Sequence, residues 1–118
     1  MRLQVQDVER LYEEYQTPSW VISHCREVAR VGEIIAHRLN EIGGNFDVEL
    51  VKVCGLVHDV LRVEEDHDLA IGALLKSLGY EREACVVERH MRYTFNDLDS
   101  LTETDIVCLA DRVVKEDR

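Results

Sequence analysis

The 118-residue chain has little of what interrupts helices: it contains one proline, six glycines, and few segments that alternate apolar and polar residues as a half-buried β-strand does. Helices are therefore expected over most of its length. It also has no repeat, no low-complexity tract and no Gly- or Pro-rich linker that would separate domains. Because a chain of this length can bury one sizeable core, residues 1–118 are predicted to form a single all-α domain.

Long apolar runs and a charged leader segment are missing too. No run approaches the ~20 apolar residues that a membrane-spanning helix needs, and residues 1–7 become polar too soon for a signal peptide. The four cysteines form no CxxC pair and lie among apolar residues at helical spacing, as core residues in a reducing compartment do. They are Cys25, Cys54, Cys85 and Cys108. We therefore expect a cytoplasmic protein that contacts no membrane.

Basic residues are outnumbered. Fourteen Lys and Arg stand against twenty-four Asp and Glu, which leaves a net charge of −10. A protein that binds a nucleic-acid polymer normally carries a basic stripe, so a polymer of this kind is not an expected partner. A small anionic substrate remains compatible with the composition, because a bound divalent metal reverses the local field. A homodimer is compatible with it as well.

Apolar spacing and capping residues predict six helices, over residues 5–15, 18–42, 47–62, 67–78, 81–91 and 102–115. Thr17 is the predicted N-cap of the second helix, with Pro18 in its first turn. Asp47 and Thr102 are predicted to cap the third and the last helix. The first helix, within residues 1–16, precedes a core formed by residues 18–114.

Several polar residues fall on the apolar faces of these helices. They are His24, His58, His90 and Asp111. Taken singly, each is more simply explained as a hydrogen-bonded core residue. However, four helices each contribute one such residue, Asp59 follows His58 directly, and an unpaired buried carboxylate is too costly to keep. Imidazole and carboxylate ligands together suit one or two divalent transition-metal ions, such as Fe, Mn, Co, Ni or Zn. His37 has polar helical neighbours and is excluded.

The order His … His-Asp … Asp resembles the HD domain superfamily of metal-dependent phosphohydrolases. It is filled here by His24, by His58-Asp59 in the segment CGLVHDV, and by Asp111 in LADR. The additional segments HDLAIGAL and ERHM make the chain similar to the six-ligand, two-metal subset, which includes small bacterial hydrolases of dinucleoside polyphosphates. The chain is also similar to HD domains fused to, or encoded beside, nucleotidyltransferases of molybdenum-cofactor type. The resemblance implies a compact HD-domain helical bundle.

The resemblance also implies ligand assignments. One metal would be held by His24, His58, Asp59 and Asp111, and a second by His67 and His90, with Asp59 bridging the two. His67 has an alternative explanation, since it opens the fourth helix, where a polar residue is ordinary.

Three arginines are candidate substrate-binding residues: Arg62, Arg89 and Arg92. Arg62 takes the place of a lysine that the family has three residues after the His-Asp step, and its guanidinium could grip a phosphate bidentately. An ordinary surface arginine at a helix end explains it equally well. Nucleotidases of the family tend to have Glu at this position and alarmone hydrolases an acidic pair just after it. Arg62-Val63 matches neither, so these two activities are less expected.

The resemblance implies metal-dependent hydrolysis of a small phosphoester or phosphoanhydride, of nucleotide-like structure, by metal-activated water. Asp59 and Arg62 are the expected catalytic residues, with Asp59 the candidate acceptor of the water's proton. Two other classes are consistent with the same ligands. One is a non-catalytic metal-binding sensor or partner-binding domain, and the other is a di-iron oxygenase.

Overall fold

Helices account for the regular structure of the part of the chain that the computed structural model describes, residues 2–63, 67–88 and 101–114. Within these residues there are six helices and no strand: α1 (Val5–Glu14), α2 (Ser19–Glu41), α3 (Val48–Val57), α4 (His67–Ser77), α5 (Glu81–Val87) and α6 (Glu103–Val113). This confirms the predicted all-α bundle. None of the described helices combines the length and the apolar character that a membrane crossing requires.

The core lies around α2, the longest helix, which packs against α3 most extensively and against α6 on another side. Helices α4 and α5 form a second packed pair, and α5 also contacts α3. Fully buried aliphatic side chains from several helices meet between them, among them Val28, Val51, Ile71, Leu75 and Val107. The polar groups of the candidate site therefore lie among the buried apolar side chains that hold these helices together.

The third helix is shorter than predicted. It ends at Val57, whereas the sequence predicted a helix as far as residue 62. From His58 onward the chain forms turns, in which the amides of Val60 and Arg62 bond carbonyls three residues earlier. The carbonyl of Val60 accepts a hydrogen bond from the Thr17 hydroxyl at 3.1 Å. Tertiary hydrogen bonds of this kind replace the helical ladder and are invisible to a periodicity argument.

The same hydrogen bond shows that the predicted role of Thr17 is wrong. Its hydroxyl is committed to Val60 and does not cap α2, whose N-cap is Pro18 with no side-chain cap. The other two predicted caps are confirmed. Asp47 accepts from the Leu50 amide at the start of α3, and Thr102 caps α6.

The remaining helix ends differ by small amounts. Helix α6 ends at Val113, because Val114 is extended, and so stops short of the predicted residue 115. Helix α5 is described as far as Val87, and the predicted end at residue 91 lies outside the described residues.

Asp47 also ties distant parts of the chain together. Its Oδ2 accepts hydrogen bonds from Arg2 at 2.7 Å and from Arg82 at 2.9 Å. Its backbone amide donates to Glu103 at 2.9 Å. The N-terminal segment, α5 and α6 are thus joined at the start of α3, at the end of that helix opposite to the candidate site.

Candidate metal centre

Three helices and the turn after α3 bring four predicted ligands together. His24 comes from α2, His58 and Asp59 from the end of α3 and the turn that follows it, and Asp111 from α6. Each offers one ligand atom, and these four atoms lie within 4.8 Å of one another. His24, His58 and Asp59 are buried, whereas the Asp111 side chain is 25% exposed. The cluster is therefore closed on most sides and reaches solvent beside Asp111.

The close approach of α2 and α3 sets the distance between the two histidines. A Cβ atom at Gly55 would lie 2.8 Å from the Cα of Ala29, so only glycine allows the two backbones to come this near. Cys25 lies four residues before Ala29 on α2, and His58 lies three residues after Gly55. Both are therefore about one helical turn away from the contact between Ala29 and Gly55. The rings of His24 and His58 lie with their centroids 5.6 Å apart.

The hydrogen bonds of His58 define its protonation. Its Nδ1 lies 2.7 Å from the Gly55 carbonyl oxygen, which can only accept, so this nitrogen carries a hydrogen. Its Nε2 lies 3.1 Å from Oδ1 of Asp111. Burial alone would lower the pKa of His58, but the charge of Asp59 and the hydrogen bond to Asp111 outweigh burial and hold the pKa well above its usual value. The neighbouring carboxylates thus favour the imidazolium form of His58 in the metal-free protein.

Asp111 is the acceptor shared by both rings. Its Oδ1 lies 2.8 Å from Nε2 of His24 and 3.1 Å from Nε2 of His58. Burial would raise the pKa of Asp111, but the hydrogen bonds from the two histidines lower it far below the usual range of a carboxyl group. This side chain stays ionised at all ordinary pH values, as a metal ligand must.

Asp59 faces different partners with its two oxygens, and its side chain is only 3% exposed. Its Oδ2 lies 3.5 Å from Nε2 of His58 and 3.7 Å from Nε2 of His24, and Nη1 of Arg62 is 3.2 Å from the same oxygen. Its Oδ1 lies 3.4 Å from Nε2 of His67. One carboxylate thus connects the cluster of four ligands to a further histidine at the start of α4.

Of the remaining predicted site residues, the structure places two beside Asp59. His67 lies next to Asp59 but outside the tight set of four. Arg62 lies at the site through its ion pair with Asp59. His90, Arg89 and Arg92 fall outside the described residues, so their predicted roles stay predictions. His37, which the sequence excluded, is exposed.

Two residues at this site were missed in the sequence. The carbonyl of Gly55 orients His58, and the indole of Trp20 lies 5.7 Å from Cζ of Arg62, within cation–π range. The signal for Trp20 was available, because it lies four residues before His24 and hence on the same face of α2. Nothing in the sequence marks which backbone carbonyl a histidine will bond.

The chemistry of this donor set fits a divalent transition-metal ion. Two imidazole nitrogens and two carboxylate oxygens converge from rigid elements, without a thiolate among them, which suits Mn, Fe, Co, Ni or Zn. One ligand already has the outer hydrogen bond that metal-binding histidines usually make, from Nδ1 of His58 to a backbone carbonyl. The four side chains thus form a plausible site by composition, proximity and orientation.

Comparison with known proteins agrees with this geometry. A family model described as HD domain matches residues 21–115, a range that includes all four clustered ligands. An uncharacterized protein of Methanocaldococcus jannaschii is 33% identical over 75 residues, which make up 60% of this chain and 44% of that protein. The chain thus spans less than half of this relative. No solved structure matches it significantly. The chain belongs to the HD domain family.

Proposed function

We propose that this protein is a metal-dependent phosphohydrolase that acts on a small phosphoester or phosphoanhydride of nucleotide-like structure. The observation that carries the proposal is the position of Asp59. One of its oxygens faces His24 and His58, and the other faces His67. A carboxylate in this position suits a bridge between two ions, and HD domains are generally metal-dependent hydrolases.

These distances support the following ligand roles. His24, His58, Asp59 and Asp111 would hold one ion, and Oδ1 of Asp59 with His67 would contribute to a second, for which the family resemblance also implies His90. Divalent ions in such a site supply a water of lowered pKa and a sink for the negative charge of the phosphoryl group.

The chain's own residues supply orientation and proton transfer. Asp59 lies at the junction of the two ligand groups, which makes it the candidate acceptor of the proton that the attacking water loses. The Arg62 guanidinium, 3.2 Å from Asp59 and 26% exposed, is placed to donate hydrogen bonds to a phosphate oxygen. Burial of the ligands limits the bulk water that can reach the phosphoryl group.

The acidity of the chain bears on the size of the substrate. Two of its twenty-four acidic residues, Asp59 and Asp111, belong to the site, where ions would neutralise them. The others leave a strongly negative protein, which would repel a nucleic-acid polymer along its length. We therefore propose a small phosphorylated substrate. All four cysteines are free, which is consistent with a reducing compartment, and we propose the cytoplasm as the location.

The test is hydrolysis of a panel of phosphoesters and nucleotides by the purified protein loaded with Mn²⁺, Co²⁺, Ni²⁺, Fe²⁺ or Zn²⁺. His58→Ala and Asp59→Ala are expected to lose more than about 100-fold in turnover, because each removes a ligand whose supporting hydrogen bonds alone are worth that much. His37→Ala, which changes an exposed histidine on the same helix as His24, is the matched control and keeps full activity. Full activity in His58→Ala or Asp59→Ala would rule out this site.

The same preparations separate the alternative classes. Stoichiometric metal binding with no turnover on any substrate would favour a sensor or partner-binding domain. Oxygen uptake by the iron-loaded protein, without phosphatase activity, would favour an oxygenase.

A further inference from the structure

Arg62 is held at the candidate site by two neighbours of different chemistry. Its Nη1 lies 3.2 Å from Oδ2 of Asp59, a charged partner. Its Cζ lies 5.7 Å from the centre of the Trp20 ring, an uncharged partner. The Arg62 side chain is 26% exposed, so the guanidinium sits between a buried carboxylate and solvent. A partly exposed guanidinium in this position is open to an anion that approaches from solvent.

The start of α2 and the turn after α3 are joined at more than one point. The Thr17 hydroxyl donates to the Val60 carbonyl at 3.1 Å, which fixes the backbone of the turn. Three residues further along the chain, Trp20 packs against the edge of the core and faces Arg62 on the same turn. Apolar packing against the core therefore supports the indole, and the buried hydrogen bond from Thr17 to Val60 holds the turn close to it.

The two neighbours of Arg62 differ in how they respond to a metal ion. Oδ2 of Asp59 is the oxygen that faces His24 and His58, so it is the oxygen a metal ion at the cluster would use. A carboxylate oxygen that coordinates a cation is a weaker ion-pair partner, since its charge is already compensated. The Trp20 ring is neutral and belongs to no ligand set, so its attraction for the guanidinium persists.

We propose, on the basis of the function proposed above, that Trp20 is a positioning residue that keeps the Arg62 guanidinium at the edge of the metal centre, where it binds the phosphate of the substrate. Without Trp20, Arg62 in the metal-loaded protein would lose a neutral contact that does not depend on the metal, and its guanidinium would sample more rotamers. Its donors would then have to be ordered again each time phosphate binds. Trp20 acts through Arg62 and does not itself contact the phosphate.

The test uses the Mn²⁺-loaded protein and inorganic phosphate as the probe, with dissociation constants measured by calorimetry. Trp20→Leu is expected to weaken phosphate binding about 3- to 30-fold, the range expected for a partly buried cation–π contact. Trp20→Phe keeps an aromatic face and is therefore expected to retain most of the phosphate affinity that Trp20→Leu loses. The Mn²⁺ dissociation constant is expected to stay unchanged in both variants, which separates positioning from damage to the metal site.

A double-mutant cycle distinguishes action through Arg62 from any other role. Arg62→Ala alone weakens phosphate binding at least as much as Trp20→Leu does, and adding Trp20→Leu to Arg62→Ala causes no further loss. Equal losses from Trp20→Leu in both backgrounds would overturn the proposal, as would wild-type phosphate binding in Trp20→Leu.

A second measurement depends neither on phosphate binding nor on enzyme turnover. The NMR signal of the Arg62 Nε–H group is expected to be shifted upfield by the indole ring, in the metal-free and in the Mg²⁺- or Zn²⁺-loaded protein alike. Loss of this shift on metal loading would overturn the anchoring role even if the enzyme is active. Conversely, a persistent shift with normal phosphate binding but no hydrolysis of any substrate would sustain the role of Trp20 and refute the proposed enzyme activity.

Discussion

The substitution Gly55→Ala tests whether the close contact of α2 and α3 builds the metal centre. A Cβ at this position would lie 2.8 Å from the Cα and 3.0 Å from the N of Ala29, and both of these are backbone atoms. No side-chain rotation can relieve such contacts, so the two helices must move apart. His24 lies on one of these helices and His58 follows the other, and the carbonyl that orients His58 belongs to Gly55 itself.

The expected magnitude combines two opposing effects. Overpacking in a dense core typically lowers the free energy of unfolding by about 1–3 kcal/mol. Replacing glycine by alanine inside a helix raises it by about 1 kcal/mol, because alanine has the higher helix propensity. Because the contact at Gly55 is with backbone, we expect a net loss of about 1–2 kcal/mol in the free energy of unfolding. Metal affinity should fall by about 10- to 100-fold, since an outer hydrogen-bond partner of a ligand is displaced.

The assay is urea unfolding of the metal-free protein together with titration by Co²⁺, whose absorption spectrum reports coordination. Gly32→Ala is the matched control, because the added Cβ approaches side-chain atoms and no backbone atom: a methyl of Val51 at 2.8 Å, in the same pair of helices, and Cβ of Ala110 at 3.9 Å. This variant should bind Co²⁺ within about twofold of wild type, as expected for a site that does not share partners with the ligands. Wild-type affinity in Gly55→Ala, or an equal loss in Gly32→Ala, would refute the reasoning.

Two further predictions concern charge. Asp47→Ala should lower the free energy of unfolding by about 1–2 kcal/mol in urea titrations, because it removes the cap of α3 and the shared partner of Arg2 and Arg82; wild-type stability would contradict this. The pKa of His58 in the folded protein is raised above the unfolded value of 6.5. His58 therefore stabilises the metal-free protein fully below pH 6.5, and this stabilisation disappears as the pH rises through the raised pKa. Metal binding at neutral pH should then release the His58 proton, and calorimetry in buffers of different ionisation enthalpy should detect it; heats independent of buffer would refute the protonated state.

The six helices could be predicted because each has a local signature. Apolar spacing identifies their faces, and the caps at Asp47 and Thr102 are short-range hydrogen bonds that residue type alone suggests. The end of α3 could not be found in this way. The helix stops because the chain is held by bonds to residues far away in sequence, such as that from Thr17 to Val60. The same bond also removed Thr17 from the capping role that its position predicted.

The candidate site, too, could be predicted only in part from the sequence. Polar residues on apolar stripes identified His24, His58 and Asp111 as inward-facing, and the structure brings them within ligand distance. Sequence spacing carries no information about which oxygen of Asp59 faces which partner, or about the cation–π contact of Arg62 with Trp20. Both depend on how the turn after α3 packs against α2, which is fixed by tertiary contacts such as the hydrogen bond from Thr17 to Val60.

The charges at the site bear on how so acidic a protein could bind the phosphate group of the proposed substrate. In the metal-free protein the carboxylates of Asp59 and Asp111 lie beside His58, whose imidazolium form they favour, and Asp59 also pairs with the guanidinium of Arg62, so that the two carboxylates of the site face cations. A divalent ion carries as much positive charge as those two cations together. On loading, His58 can therefore give up its proton and Arg62 can turn from Asp59 while the carboxylates remain compensated. Arg62 would then add a net positive charge at the solvent edge of the site, which would attract an anion locally although the chain as a whole has a net charge of −10.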